Sequence, residues 1–246
     1  MTAVAGVRPL LDGYHRADGK HIRISAREGS LFAKQVAGDF NPIHDEDSKR
    51  FCVPGDLLFA LAVSRYGVRE HMDFRFAGMV GDGVALCFPE AVGSAGSVVN
   101  EQGKPLLEMT FGGAGRGEQD FSEALIRQYV AFSGQNFPHI LVPLLADNGV
   151  MINPDRPLVI YESMALSFDA LDFNQPQLVL SGSSIAVNGK RGDVRLDFDI
   201  HGSTGKVGSG SKKLAIGGLL PYDEARMNVV IDAFVIRKEN WQPGSV

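Results

Sequence analysis

One short segment constrains the fold of this chain more than any other, a run of apolar residues at 57–63. The run reads LLFALAV, and residues 55–66 around it have the spacing of a helix. A helix that is apolar on every side is buried rather than laid on a surface. The run is also far shorter than the roughly 20 residues needed to cross a bilayer. The sequence therefore predicts a helix enclosed by the rest of a globular fold, without membrane insertion.

The elements predicted around this helix follow a definite order. Ser30 is a candidate N-cap for a helix through residues 31–36, which the segment at 37–42 ends, because glycine terminates helices and proline restricts its predecessor. Alternating apolar residues then predict strands at 71–76, 84–88, 96–100 and 105–111. A four-residue connection between the last two strands is typical of a hairpin.

The same order recurs after a glycine-rich segment, residues 112–117, which we interpret as a linker. The predicted elements that follow are helices at 121–132 and 140–146, and strands at 159–168, 177–187, 194–200 and 207–216. Aligning Gly38 with Gly134 places Asp39 opposite Gln135. We therefore predict a duplicated α+β protein, with units at 1–118 and 119–246. Two unrelated small domains are the alternative.

Charge and cysteine content narrow the class of protein. The formal net charge is −5, with 24 Lys and Arg against 29 Asp and Glu, whereas dedicated nucleic-acid binders carry a basic face. The two cysteines, Cys52 and Cys87, form no zinc-like spacing, so we expect no metal site and a reducing compartment. The first residues lack the pattern of a signal peptide. A cytoplasmic protein without nucleic-acid partners is expected.

The residues with the clearest chemical potential lie in the turn Gly-Asp-Phe-Asn-Pro-Ile-His at 38–44. Asp39 and His44 stand five positions apart across a turn stiffened by Pro42. An acid beside an imidazole can hold or pass a proton, and Asn41 could orient either of them. The alternative is structural, because Asp, Asn and Pro are the residues that any turn uses.

Three segments resemble the MaoC-like, (R)-specific enoyl-CoA hydratases, which have the hot dog fold. The first is FAKQVAGDFNPIH at 32–44, the second is FCVPG at 51–55 before the apolar helix, and the third is FRFAGMVGDG at 74–83. The resemblance covers about residues 30–90, and the rest of the chain follows the family only in its order of elements. It implies a double hot dog in which one repeat keeps the site and the C-terminal repeat has lost it.

The resemblance also implies roles for individual residues. Asp39 and His44 would hold a water and exchange protons as it adds to the double bond of an acyl thioester, with Asn41 fixing the pocket. The Gly55 amide, at the N-terminus of the apolar helix, would donate to the thioester oxygen. Residues expected to contact substrate are Phe40, Ile43, Lys49 and Arg50. No cofactor is implied beyond coenzyme A or a carrier protein as part of the substrate, and a homodimer is compatible with the family.

Departures from the family pattern keep other functions open. Arg50 replaces a small residue, and Pro54 and Asp56 flank the glycine where the family has other residues. An acid beside the amide donor opposes charge build-up unless it points away or pairs with a cation such as Lys49 or Arg50. A non-catalytic acyl-CoA-binding protein and an acyl-CoA thioesterase are therefore the alternatives.

Basic residues elsewhere in the chain offer a further, weaker signal. The pairs Lys190-Arg191 and Lys212-Lys213 could meet the phosphates of coenzyme A or could simply be solvated.

Overall fold

The computed structural model describes residues 9–242 and contains helices of very different lengths. The α-helices are α1 (Ala26–Phe32), α2 (Gly55–Tyr66), α3 (Gln119–Gly134), α4 (Leu141–Asp147) and α5 (Glu224–Asn240). A π-helical turn, Ala33–Ala37, continues α1, and a 3₁₀ turn, Pro42–His44, precedes α2. Within the described part of the chain, no helix has both the length and the apolarity that a membrane crossing requires.

The strands form one large antiparallel sheet and two small pairs. In chain order they are β1 (Arg16–Asp18), β2 (His21–Arg23), β3 (Val68–Phe76), β4 (Ala95–Val99), β5 (Pro105–Arg116), β6 (Val150–Met151), β7 (Val159–Phe168), β8 (Gln177–Asn188), β9 (Arg191–Gly202), β10 (Gly205–Gly217) and β11 (Leu220–Pro221). The seven-stranded sheet has the order β4-β5-β3-β7-β10-β9-β8, while β1 pairs with β2 and β6 with β11.

The predicted α+β architecture with antiparallel sheet is confirmed. Strands β3 to β5 come from the first half of the chain and β7 to β10 from the second, and the antiparallel pair β3–β7 joins them into one sheet. The apolar run of α2 is buried as predicted, with every residue from 57 to 63 at most 5% exposed. Burial of each large apolar side chain stabilises the fold by about 1.5–3 kcal/mol. The apolar run of α2 belongs to the main core and therefore contributes strongly to its stability.

A second, smaller core surrounds α4. Leu141 and Leu145 of this helix pack with Leu196, Leu214 and Ile216 of β9 and β10. The helix is 7 residues long, the length predicted for it at 140–146, and is shorter than the 12 residues of α2. The boundary between the two units, between residues 118 and 119, stays a prediction.

The interpretation of residues 112–117 as a linker is wrong. Strand β5 continues to Arg116, which pairs with Val68 of β3. The register of this pair shifts at Glu70, and Gly113 adopts a φ of 75° there, in the left-handed region that favours glycine. The glycines therefore build a β-bulge and let the side chains of the neighbouring strand lie close to the backbone.

Two further predictions in the first half need correction. Residues 84–88 form no continuous strand, because only isolated bridges join Leu86 to Ile22 and Cys87 to Val99. The cap of the first helix is Ser25 rather than Ser30, which is buried within α1. Ser25 and Glu28 form a capping box, in which the Glu28 amide donates to Ser25 Oγ at 3.3 Å and the Ser25 amide donates to the Glu28 carboxylate at 2.8 Å.

Replacing Ser25 by alanine removes the acceptor of the Glu28 amide. We expect a loss of about 1 kcal/mol in the free energy of unfolding, the usual cost of a lost N-cap. Denaturant titration measures this loss, with Ser203→Ala in an exposed turn as the control. Equal stability of Ser25→Ala and the native protein would show that the cap contributes nothing.

Candidate functional site

The predicted turn at 38–44 opens into a cavity of about 540 Å³. The cavity lies between this turn, the N-terminus of α2, the strands β7 and β10, and helix α5. Its walls include most of the residues proposed from the sequence, namely Asp39, Phe40, Asn41, Ile43, His44 and Gly55. The fold therefore brings these residues together around one space.

The turn that carries Asp39 is held by hydrogen bonds of its own backbone. The π-helical turn ends at Gly38, with a φ of 66°, and the Asp39 amide donates to Ala33 O at 2.8 Å. The Asn41 amide donates to Asp39 Oδ1 at 2.8 Å, and Asn41 Oδ1 accepts from the Ile43 amide at 3.2 Å. Asn41 thus caps the 3₁₀ turn and positions the acid and the imidazole on either side of it.

His44 is oriented by the backbone and faces Asp39. Its Nδ1 lies 2.6 Å from the carbonyl oxygen of Cys52, which can only accept, so Nδ1 carries the hydrogen. Its Nε2 lies 3.6 Å from Asp39 Oδ2. In the neutral imidazole, Nε2 is therefore an unprotonated acceptor beside a carboxylate oxygen, and both acceptors line the cavity.

Gly134, one of the two glycines matched in the sequence, lies against the segment that precedes the other, Gly38. A Cβ added to Gly134, at the end of α3, would overlap Ala37 O and lie 3.1 Å from Ala37 Cβ. The absence of a side chain at Gly134 therefore allows α3 to contact the backbone that leads into Gly38 and Asp39. Gly134 and Ala37 thus form a contact between the two halves of the chain at the site.

Substituting Gly134 by alanine forces these two backbones apart. Alanine would gain up to about 1 kcal/mol from helix propensity, but overpacking against a main-chain oxygen costs about 1–3 kcal/mol or more, so we expect net destabilisation. Thermal unfolding measures it, and Gly117→Ala is the control, since nothing lies within 4 Å of a Cβ there. A Gly134→Ala protein as stable as the control would contradict the close approach.

A second polar group of the cavity, which we call the Asp56 cluster, consists of Asp56, Ser133 and Lys212. Ser133 Oγ donates to Asp56 Oδ2 at 2.7 Å. Lys212 Nζ in turn donates to Ser133 Oγ, and it lies 3.4 Å from the Ser133 carbonyl oxygen. All three residues are buried and line the cavity. The cation next to Asp56 is thus Lys212 of β10, rather than Lys49 or Arg50.

Burial shifts the pKa of both charged members of the Asp56 cluster. Loss of solvent raises the pKa of the Asp56 carboxyl, and the opposing effects of Lys212 and Ser133 do not fully compensate. The same loss lowers the pKa of Lys212, against the attraction of Asp56 and Asp39. Lys212 Nζ also lies 4.3 Å from the ring centroid of Tyr161, a cation–π contact. The candidate dyad and the Asp56 cluster therefore form one electrostatic system.

Gly55 occupies the position proposed for it, at the first residue of α2 beside the cavity. A Cβ at Gly55 would lie 3.0 Å from ring atoms of both Phe76 and Tyr161. Because it lacks one, these two rings approach the start of the helix closely. The first amides of a helix have no partner within it, and they favour negative charge. This end of α2 can therefore stabilise an oxygen that becomes negative.

Helix α5, which the sequence analysis did not predict, covers one side of the cavity. Phe234 of α5 contacts Phe40 at 6.0 Å and Phe137 at 5.1 Å between ring centroids. Arg237 forms an ion pair of 2.7 Å with Asp45, just beyond the candidate turn. The helix thus encloses the dyad from outside.

Two of the expected substrate contacts lie elsewhere. Lys49 and Arg50 are exposed, outside the lining of the cavity, so their role in substrate binding stays a prediction. Lys212 was expected to be solvated or to meet a phosphate, but it is 5% exposed. Strand alternation could have indicated this, because Lys212 shares the inward face with Leu214 and Ile216, whereas Lys213 is exposed.

Several solved structures are similar to this chain. A conserved protein of unknown function with hot dog fold from Alicyclobacillus acidocaldarius has 11% identity and a TM-score of 0.48, covering 88% of this chain and 100% of that one. The acyl-CoA thioesterase II TesB2 from Mycobacterium marinum has 12% identity and a TM-score of 0.39, covering 87% and 99%. A MaoC-like dehydratase has 9% identity and a TM-score of 0.40, covering 82% and 97%.

Fold and site together define an α+β protein with a polar cavity at the start of its buried helix α2. The chain belongs to the family described as Protein of unknown function (DUF3581), whose model matches residues 10–225. Among curated proteins, no sequence matches it.

Proposed function

We propose that this protein is a hydratase or dehydratase, which adds water to a 2-enoyl thioester or removes it from a 3-hydroxyacyl thioester. One observation carries the proposal: His44 Nε2 and Asp39 Oδ2 lie 3.6 Å apart on the wall of a cavity that starts at the N-terminus of α2. The two groups and the helix end supply, in one space, what the addition of water to a conjugated thioester requires.

The two acceptors suit a single water molecule. With Nδ1 holding its hydrogen toward Cys52, neutral His44 and the Asp39 carboxylate can each accept one hydrogen of the same water. The oxygen lone pairs of that water then point away from the dyad, toward the β-carbon of a bound enoyl thioester. As the new carbon–oxygen bond forms, one member of the dyad takes a proton from the water, and the dyad then gives a proton to the α-carbon, so that its own protonation is restored.

Negative charge develops on the thioester oxygen during this addition. The first amides of α2, with Gly55 closest to the cavity, would donate to that oxygen, and such donors contribute about 3–4 kcal/mol in comparable sites. The carboxylate of Asp56 would oppose this charge. Lys212, held to Asp56 through Ser133, offsets that effect.

The proposal also includes the expectations about the acyl chain, its carrier, the cellular role and the oligomeric state. Apolar side chains such as Leu58 and Ile152 line the cavity and suit an acyl chain. The thioester would be carried by coenzyme A or a carrier protein, and no cofactor would be required. A cytoplasmic role in fatty acid metabolism and a homodimeric state belong to the same proposal.

Loss of the absorbance of the conjugated double bond tests the proposal. Native protein should convert 2-enoyl thioesters of at least one chain length, and His44→Ala should lower turnover by about 100-fold or more, since it removes a proton acceptor. Thermal unfolding of the variant confirms that it is folded. A native protein inactive across short, medium and long chains would contradict the proposal.

A non-catalytic acyl-thioester-binding protein is the second candidate, favoured by the acid that directly follows Gly55. In that case the ligand stabilises the protein against heat, while no chain length is turned over. A protein that acyl thioesters neither stabilise nor react with would exclude both candidates.

A further inference from the structure

We propose that the acyl chain accepted by this cavity carries a polar group, a hydroxyl or an amide, which Asp56 and Asn136 recognise. The inference rests on the proposed acyl-thioester substrate and adds the class of its acyl part. It is carried by buried polar atoms whose hydrogen-bonding capacity is unused.

Three such atoms belong to two residues of the cavity wall. Asp56 Oδ1, Asn136 Oδ1 and Asn136 Nδ2 are buried and have no hydrogen-bond partner among residues 9–242. Asp56 is 6% exposed and Asn136 is 3% exposed. Leaving buried donors and acceptors unpaired destabilises a fold, and native proteins avoid it unless the groups have another use.

The fold does not require the side chain of Asn136. Its backbone oxygen accepts from the amides of Ile140 and Leu141, both at 3.0 Å, and so stabilises the start of α4. Any residue supplies that oxygen. The amide side chain is therefore free to serve a ligand, and it lines the cavity together with Asp56.

The unused atoms define the chemistry of the ligand group. The carboxylate oxygen of Asp56 accepts only, whereas the Asn136 amide both donates and accepts. A hydroxyl pairs two of the three atoms, because it accepts from Asn136 Nδ2 and donates its one hydrogen to a single oxygen, whereas a primary amide, with two N–H groups and a carbonyl, pairs all three. A plain alkyl chain would leave all three atoms unpaired, and a carboxylate on the chain would be repelled by Asp56.

Binding of unreactive ligands tests the inference separately from turnover. The ligands are saturated acyl-CoAs of equal length, either plain or with one hydroxyl moved stepwise along the chain from carbon 4 onward, because a 3-hydroxyacyl thioester is itself a substrate of the proposed reaction. Calorimetry should give at least one hydroxylated ligand an affinity about tenfold or more above that of the plain chain, the gain expected when a site pairs its buried polar atoms.

Asn136→Leu should remove this preference, so that plain and hydroxylated chains bind with equal affinity. It should also raise the thermal unfolding temperature, since it removes two unpaired polar atoms. Gln135→Leu, at the exposed neighbouring position, is the matched control and should keep the preference. Equal affinity for all chains, or an unchanged preference in Asn136→Leu, would overturn the inference.

The outcomes separate this inference from the proposed function. A protein that prefers the hydroxylated chain and hydrates nothing would keep the inference and refute hydration. A protein that hydrates plain enoyl thioesters without preference would refute the inference alone. An equal loss of affinity for plain and hydroxylated ligands in Asn136→Leu would assign the residue to the coenzyme A arm, which also contradicts the inference.

Discussion

Asp39→Asn is expected to lower the turnover of enoyl thioesters by about 10²–10⁴-fold, the usual contribution of a positioned proton-transferring group. Asparagine keeps an oxygen that can accept from the Asn41 amide, so the turn should hold its shape. It cannot take up a proton, and its amide group can turn a donor toward His44. Turnover at saturating substrate, together with thermal unfolding, measures the effect.

Asp47→Asn is the matched control for this variant. Asp47 lies in the acidic run just after the turn and is exposed. The same change of charge there should leave turnover within about twofold, since exposed charges at a distance are screened. If both variants lost the same activity, the net charge of this region rather than the dyad would explain the result.

Lys212→Met is expected to lower the free energy of unfolding by about 3 kcal/mol, because removing one partner leaves the other charge buried and uncompensated. The variant retains Asp56, whose nearest cation is lost. Lys213→Met is the control, since Lys213 is the exposed neighbour on the same strand. Denaturant titration at neutral pH measures both variants.

The double variant Asp56→Asn with Lys212→Met should recover most of that stability. Neither charge remains to be buried, and neutral replacements of buried pairs are often tolerated. A double variant as unstable as Lys212→Met would show that the loss comes from packing of the lysine chain and not from the charge of Asp56.

The pH dependence of Lys212→Met provides an independent check. Burial already raises the pKa of Asp56 above its ordinary value of 3.8, and loss of Lys212 raises it further. A group whose pKa is higher in the folded state than in the unfolded state stabilises the fold at a pH below its unfolded-state pKa. This stabilisation is lost as the pH rises through the folded-state pKa. The deficit of Lys212→Met relative to the native protein should therefore narrow as the pH falls toward 3.8.

Features set by neighbouring residues could be predicted from the sequence. The burial of α2 follows from its apolar run, and the bounds of β7 follow from alternation alone. The turn that presents Asp39 and His44 depends on glycine and proline within a few positions. Local patterns predicted these elements because the residues that determine each of them lie within one short segment.

Features set by distant segments could not be predicted in this way. The Asp56 cluster joins α2, α3 and β10, so its hydrogen bonds span 77 and 79 positions. Val229 and Ile236 of helix α5 are exposed, so its apolar residues do not all lie on one buried face. Apolar periodicity therefore did not predict this helix. In the sequence, the glycines of β5 resemble a linker. Their role becomes clear only from the side chains of β3 that lie close to them.

The position of oxygen from labelled water tests the central claim most directly. Native protein is incubated with a 2-enoyl thioester in H₂¹⁸O, and the products are analysed by mass spectrometry. Hydration by Asp39 and His44 predicts one ¹⁸O in the 3-hydroxyl group of an intact thioester, and none when both residues are replaced. Labelled free acid with released thiol, or no product at any chain length, would contradict it.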